Sequence, residues 1–337
     1  MKPVRFATIG INHNHIFGQT SCLLNAGAEL VGFHAVEDDL ASEYSDAFSG
    51  VPRVDDKRRL LDDPSVDLII TAAIPDERAP LAIEAMRAGK DVMTDKPGMV
   101  TFAQLNEVRK VQVETGRLFS VLYSEHFENR ATVKAGELIA AGAIGKVVST
   151  AGFGPHRLRA STRPEWFFDR ARYGGILVDI ASHQCEQFLF FTNSDTADIL
   201  AAKVSNRANP QWPGLQDSGD IHLCTKDVDG FIRVDWFTPD GLPSWGDGRL
   251  FITGTEGAIE IRKNVDIGGR DGGNHLFLID KSGVQHIDCA NVALPYGPQL
   301  LSDIRNRTET AMPQARCFAA MELALKAQQM AEGRHHG

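Results

Sequence analysis

Residues 4–19, "VRFATIGINHNHIFGQ", decide the fold. Val4, Phe6 and Ile9 are apolar and Ala7 is small, which predicts a buried strand. Ile16, Thr20, Leu23 and Leu24 then recur at helical spacing, and Gly27 ends the run. A strand, a glycine turn and a helix N-terminus together make an anion site. Orphan backbone N–H groups and the helix dipole converge there, and both favour a pyrophosphate. A dinucleotide fingerprint reads G-x-G-x-x-G at this place. Gly10 keeps the first glycine, Asn12 stands at the second position and His15 at the third.

The same turn has a second reading. His13 and His15 form an H-x-H pair, which can place two imidazoles on one metal at the start of a hydrolase barrel. That barrel requires strand and helix to alternate to the end of the chain. They alternate through the first third only. "AELVGFHAV" reads as a strand, residues 39–48 as a helix, and "DLIITAA" as an apolar strand after a break at Pro64. "APLAIEAMRAGKDVMTDKPG" gives a helix stopped at Gly89 and a strand ending at Asp95. Helix "TFAQLNEVRKVQVETG" and strand "RLFSVLYS" complete the series, the pattern of a parallel sheet covered on both faces. Near residue 124 the rhythm changes. A helix is predicted over residues 129–141, followed by paired strand runs with Gly and Asp between them, which suggest antiparallel hairpins. One helix interrupts them near "ASHQCEQFLFF", and a last one is predicted in "ARCFAAMELALKAQQMAEG".

The 337 residues suit two domains. Net charge is -9 and no Lys/Arg-rich block stands out, which argues against a nucleic-acid partner. No run reaches the roughly 18 apolar residues of a membrane span. Five cysteines without a C-x-x-C pair suit a reducing compartment, and no secretory signal is seen, so a cytoplasmic protein is expected.

Two further segments carry chemistry. In "DVMTDKPG", Lys96 closes a strand and Pro97 restricts its backbone, a placement that suits proton transfer as well as an ordinary solvated lysine. In "YGGILVDIASHQCEQF", Asp179 and His183 are four apart. On one helix they would share a face, where a carboxylate can fix an imidazole's tautomer and raise its basicity. Gly174 and Gly175 would let something approach the backbone. A helix-start aspartate and a solvated histidine are the ordinary reading.

Taken in order, these segments resemble the Gfo/Idh/MocA oxidoreductases. "TDKP" is similar to the family's E-K-P, with Asp95 for Glu, and "GGILVDIASH" to its G-G-x-x-x-D-x-G-x-H, with Ala181 for the last glycine. "HFENRATVKAGELIAAGAIGKVVS" and "RPEWFFDRARYGG" are similar to the family's entry into its second domain and to the segment before the glycine pair. The resemblance implies a Rossmann-type NAD(P)-binding domain over 1–123. It implies an α+β domain with a large, mostly antiparallel sheet over 124–310, and a terminal helix over 311–337 that packs back on the first domain. It also implies hydride transfer between NAD(P) and a sugar, polyol or inositol-like alcohol, in a homodimer or homotetramer built through the second sheet.

Carried over residue by residue, His183 would be the general base. Lys96 would bind the reacting oxygen and stabilise a developing alkoxide, and Asp179 would bind a neighbouring hydroxyl or orient the base. The cofactor would lie against Gly10, Asn12, His13, Asn14, His15, Asp95 and Lys96. Ala35 falls where an acid usually meets the adenosine ribose, with Glu37 close behind. No Lys or Arg stands at that position, which favours NAD while leaving NADP open. "TAAIPDER" replaces a common T-P-N-x-x-H, bringing Ala73, Pro75 and Arg78 beside the cofactor. Glu125 and His126 replace an R-R-F-type segment and, with Trp166, are substrate candidates that disfavour an acidic substrate unless Arg157, Arg159 or Arg163 points inward. No metal is expected. A tightly held NAD in a glycosidase, a nucleotide sensor on the same fold, and the metal hydrolase remain the alternatives.

Overall fold

The computed structural model describes residues 2–333. The described residues form two compact units, one of residues 2–122 with 295–318, the other of residues 123–294 with 319–333. The expected terminal segment 311–337 therefore divides at Phe318, and its residues 334–337 lie outside the described residues.

The first unit alternates strand and helix as β1 (Arg5–Ile9), α1 (His15–Asn25), β2 (Glu29–His34), α2 (Asp38–Ala47), α3 (Arg58–Leu61), β3 (Leu68–Thr71), α4 (Pro75–Arg87), β4 (Asp91–Asp95), α5 (Phe102–Thr115) and β5 (Phe119–Leu122). Every residue of β3, β4 and β5 is buried, as strands covered on both faces must be. All pairs are parallel, in the order β2-β1-β3-β4-β5. A single parallel bridge, Phe33 to Arg53, lies outside β2. Counted as a vestigial strand, it gives the doubly wound order 3-2-1-4-5-6, with the reversal beside β1. That reversal leaves a crevice at the carboxyl end of β1, where Gly10 begins the turn into α1. Thr101 Oγ1 caps α5 by accepting from Gln104 N at 3.2 Å, and Gly116 at φ +61° ends it.

The second unit continues with α6 (Ser124–Phe127), α7 (Arg130–Ala140), β6 (Val147–Pro155), α8 (Arg170–Tyr173), α9 (Ile176–Asp179), α10 (Ser182–Thr192), β7 (Asp198–Ser205), β8 (Ser218–Cys224), β9 (Asp229–Asp235), β10 (Arg249–Gly254), β11 (Ala258–Arg262), β12 (His275–Asp280) and β13 (Gly283–Asp288). α11 (Tyr296–Asn306) returns to the first unit and α12 (Gln314–Gly333) is shared. The eight strands form one sheet, β13-β12-β11-β10-β6-β9-β8-β7. Its pairs are antiparallel except β6 with β9. Leu250, Ile252, Ile259, Ile261, Leu276 and Leu278 alternate inward and pack on α7 residues Ala131 and Ala135. An open mixed sheet replaces the barrel that the metal-hydrolase reading requires.

Candidate functional site

In the first unit the turn after β1 is built around Gly10. Its φ is +77°, and a Cβ there would lie 2.6 Å from Ala73 Cβ. Only glycine fits both the conformation and the space. Ala72 N donates to Gly10 O at 3.0 Å and His13 N to Ala72 O at 2.9 Å, so the turn is tied to the end of β3. Beside it lies a cleft of about 460 Å³ lined by Gly10, Asn12, Ala35, Glu37 and Ala73 among others. Asn12 Nδ2 donates to Glu37 Oε1 at 2.8 Å, which fixes a carboxylate just beyond β2. The glycine cradle, the cleft and that carboxylate fit a dinucleotide with a free ribose diol. Pro75 is the first residue of α4, and Asn14 holds the N-cap position of α1 without a side-chain capping bond.

The imidazoles meet a buried carboxylate. Asp95, 1% exposed, accepts from His15 Nδ1 at 2.8 Å through Oδ1, and its Oδ2 lies 3.6 Å from His13 Nδ1 and 3.0 Å from Arg78 Nη2. Burial alone would raise its pKa, but His15, Arg78 and His13 together hold it well below the ordinary carboxylate value. His13 is held well below the usual imidazole value, first by burial and then by His15. Arg78 differs from its expected place beside the cofactor. It is buried, its Nε donating to Ala73 O at 2.7 Å and its Nη1 to Lys96 O and, at 3.1 Å, to Pro97 O. It is a strut under the turn and under the cis Lys96-Pro97 segment. Donor atoms of His13, His15 and Asp95 lie within 4.8 Å of one another, a span a metal ion could use. The guanidinium already neutralises that carboxylate, which disfavours a divalent cation there.

In the second unit Asp179 and His183 do not share one helix. Asp179 ends α9 and His183 is the second residue of α10, with His183 N donating to Ile180 O at 3.2 Å in a tighter turn. Both are buried, and the Tyr123 ring stands edge-on to His183 at 5.9 Å. Gly174 and Gly175 have φ of +90° and +87°. What approaches Gly175 is Gln328 of α12, whose Oε1 accepts from Leu177 N at 3.1 Å, so Gly175 serves packing, while Gly174 ends α8. Arg163 carries a charge that acts on Asp179. Burial lowers its pKa and Asp179 opposes that effect. Its guanidinium lies over Phe167 and Trp236 at 4.5 and 5.2 Å. Arg157 donates to Pro239 O and Leu242 O at 2.9 and 2.5 Å.

Glu125 and His126 are not presented as open substrate contacts. His126 is buried, with Nδ1 2.9 Å from Glu186 and its ring against Phe127 and Phe190. Glu125 Oε2 accepts from Lys263 Nζ at 2.7 Å and from Gln184 Nε2 at 2.9 Å, and Lys263 Nζ also donates to Gln187 Oε1 at 3.0 Å. Burial opposes ionisation of Glu125, yet Lys263, His183 and His156 bring its pKa down to about 2. Trp166 is half-buried and meets Phe167 edge-on at 6.1 Å. Sequence reading missed Lys263. Its signal was the alternation of β11, which puts residue 263 in phase with the inward Ile259 and Ile261.

Comparison with known proteins agrees with this architecture. Residues 4–123 match the oxidoreductase family with an NAD-binding Rossmann fold, and residues 132–260 match the GFO/IDH/MocA C-terminal domain. The chain superposes with a TM-score of 0.95 on the crystal structure of a protein assigned as an oxidoreductase from Erwinia carotovora atroseptica, at 44% identity over 97% of this chain and 98% of that one. It is 34% identical over 174 residues to the uncharacterized oxidoreductase YdgJ of Escherichia coli, spanning 50% of this chain and 46% of that protein. It is 25% identical over 243 residues to 1,5-anhydro-D-fructose reductase of Ensifer adhaerens, 71% of this chain and 69% of the reductase. With both domain models matched in order and a relative aligned along nearly its whole length, the chain belongs to the Gfo/Idh/MocA oxidoreductase family.

Proposed function

We propose that the protein transfers a hydride between NAD and a hydroxyl-bearing carbon of a neutral sugar, polyol or inositol-like substrate. The observation that carries this is the Gly10 turn at the sheet's reversal, with its cleft of Asn12, Ala35, Glu37 and Ala73. Glu37 favours the ribose diol of NAD over a 2′-phosphate by charge. The relative that reduces 1,5-anhydro-D-fructose supports the substrate class.

When bound, the nicotinamide supplies the redox chemistry. The chain's residues supply position and proton transfer. His183 takes the hydroxyl proton on its imidazole as the carbon is oxidised. Lys96 carries an ammonium that can hydrogen-bond a substrate oxygen and stabilise negative charge on it. Asp179 binds a neighbouring hydroxyl, and its charge, facing Arg163, favours an uncharged substrate over an anionic one. His13, Asn14 and His15 meet the pyrophosphate, and Asp95 and Arg78 hold them from below. We assign the open face of the eight-stranded sheet to homo-oligomer assembly. There Phe153 meets Phe231 and Phe251 at 6.0 Å each, and Phe251 and Ile279 are 37% and 41% exposed. No helix among the described residues is long and apolar enough to cross a membrane. Five cysteines outside any disulfide among the described residues support a cytoplasmic setting.

A panel of aldoses, polyols, inositols and uronates, each with NAD and with NADP, tests the proposal by the absorbance of reduced cofactor. Turnover of a neutral member with NAD is expected. Glycoside cleavage without net reduced cofactor would move the protein to the NAD-dependent glycosidase reading, and turnover confined to uronates would overturn the substrate class.

A further inference from the structure

The two imidazoles of the dinucleotide turn are not equivalent. His13 Nδ1 accepts from His15 N at 3.2 Å and so caps the first turn of α1. Burial keeps this ring neutral, which leaves its proton on Nε2. His15 instead turns Nδ1 to the ionised Asp95 at 2.8 Å. An ionised carboxylate only accepts, so the His15 proton sits on Nδ1 and Nε2 points the other way. The His15 side chain is 37% exposed, against 1% for Asp95 and for Arg78. A carboxylate buried behind an open imidazole holds the ring by Nδ1 and aims Nε2 outward.

The charged groups around His15 are His13 in the same turn, Asp95 and Lys96 at the end of β4, and Arg78 from α4. Beyond β2, Glu37 is bonded to Asn12. β3 ends there in Thr71, which lies beside Gly10, and α11 meets the far end of α1 through Gly297 against Cys22. The Arg78 charge is matched by Asp95 and its other N–H groups by three backbone carbonyls.

Building on the dinucleotide reading, we propose that His15, aimed by Asp95, becomes the cationic partner of the cofactor pyrophosphate, one proton being taken up at His15 Nε2 when the dinucleotide binds. In this turn an imidazolium does the work of the close backbone approach that glycines at positions 12 and 15 would allow. Asp95 is the positioning residue, acting through His15.

The test is NADH binding to the full-length protein, followed by cofactor fluorescence from about pH 5.5 to about pH 9. Calorimetry in two buffers of different ionisation enthalpy counts protons on the unaltered protein. NADH is the probe because its pyrophosphate does not titrate in this range. The expected result is net proton uptake and an affinity that falls about tenfold as the imidazole loses its proton, the scale of one charge-assisted hydrogen bond. His15→Gln should bind at every pH as the unaltered protein does at high pH, and Asp95→Asn should flatten the profile in the same way. A pH-independent affinity, a slope that survives in His15→Gln, or a stoichiometric divalent metal on these side chains overturns the inference. Folded protein that binds neither NADH nor NADPH contradicts the dinucleotide reading itself, a different outcome.

Discussion

Each unit contains a carboxylate–cation pair with both partners buried, Asp95 with Arg78 and Glu125 with Lys263, and the two arrangements differ in what they leave open. In the first, Asp95 and Arg78 are both buried, but two imidazoles on the exposed side complete the cluster. In the second, Glu125 and Lys263 are enclosed by Gln184 and Gln187, with side-chain exposures of 6% and 2%. An ion pair open on one side can change its charge when a ligand arrives. A closed one cannot, and its polar atoms instead fix neighbouring structure, here α10 at Gln184 and Gln187, on either side of the helix turn that follows His183. Buried charge alone therefore does not mark a binding site. Its open edge does.

The largest expected effect falls on the closed pair. Lys263→Met would leave Glu125 buried without its cation and should cost about 3–5 kcal/mol in urea unfolding. The double change Glu125→Gln with Lys263→Met should recover most of that loss, because a neutral pair removes the desolvation penalty as well as the attraction. If the single variant were as stable as the parent, the pair would not be the closed structural element described here. A smaller effect is expected in acid. Glu125 is lowered from an ordinary 4.5 to about 2, so its ionised form stabilises the fold above about pH 4.5, and that contribution disappears as pH falls toward about 2. Asp95, also lowered, acts in the same direction. The double variant should lose stability less steeply over that window, and an unchanged acid limb would remove Glu125 from the account.

Much of the fold was legible because its signals are local. The strand–glycine–helix start at residues 4–27 and the alternation of strand and helix through "LIIT" and "FSVL" forecast a parallel sheet, and the paired runs joined by Gly and Asp after residue 145 forecast hairpins. The parallel pairing of β6 with β9 was not legible, since a long crossover leaves no local mark. Single-helix spacing for Asp179 and His183 failed because the chain takes a tighter turn at Ile180, which no residue type there announces. Arg78 was read as a cofactor contact, although its place in α4, in phase with buried Pro75, Ala82 and Ala85, already pointed inward. Lys263 was overlooked although it directly follows β11, in phase with the buried Ile259 and Ile261. The partnership of His15 with Asp95, 80 positions apart, needed the fold itself.

The central claim is a division of labour, in which the first unit holds the dinucleotide and His183 of the second moves the proton. His183→Ala tests it most directly, with NADH affinity and turnover of the best substrate in the panel measured on one preparation. The account predicts turnover reduced by about a thousandfold, with NADH affinity unchanged within about twofold. Turnover that persists, or affinity that is lost along with it, would contradict the account.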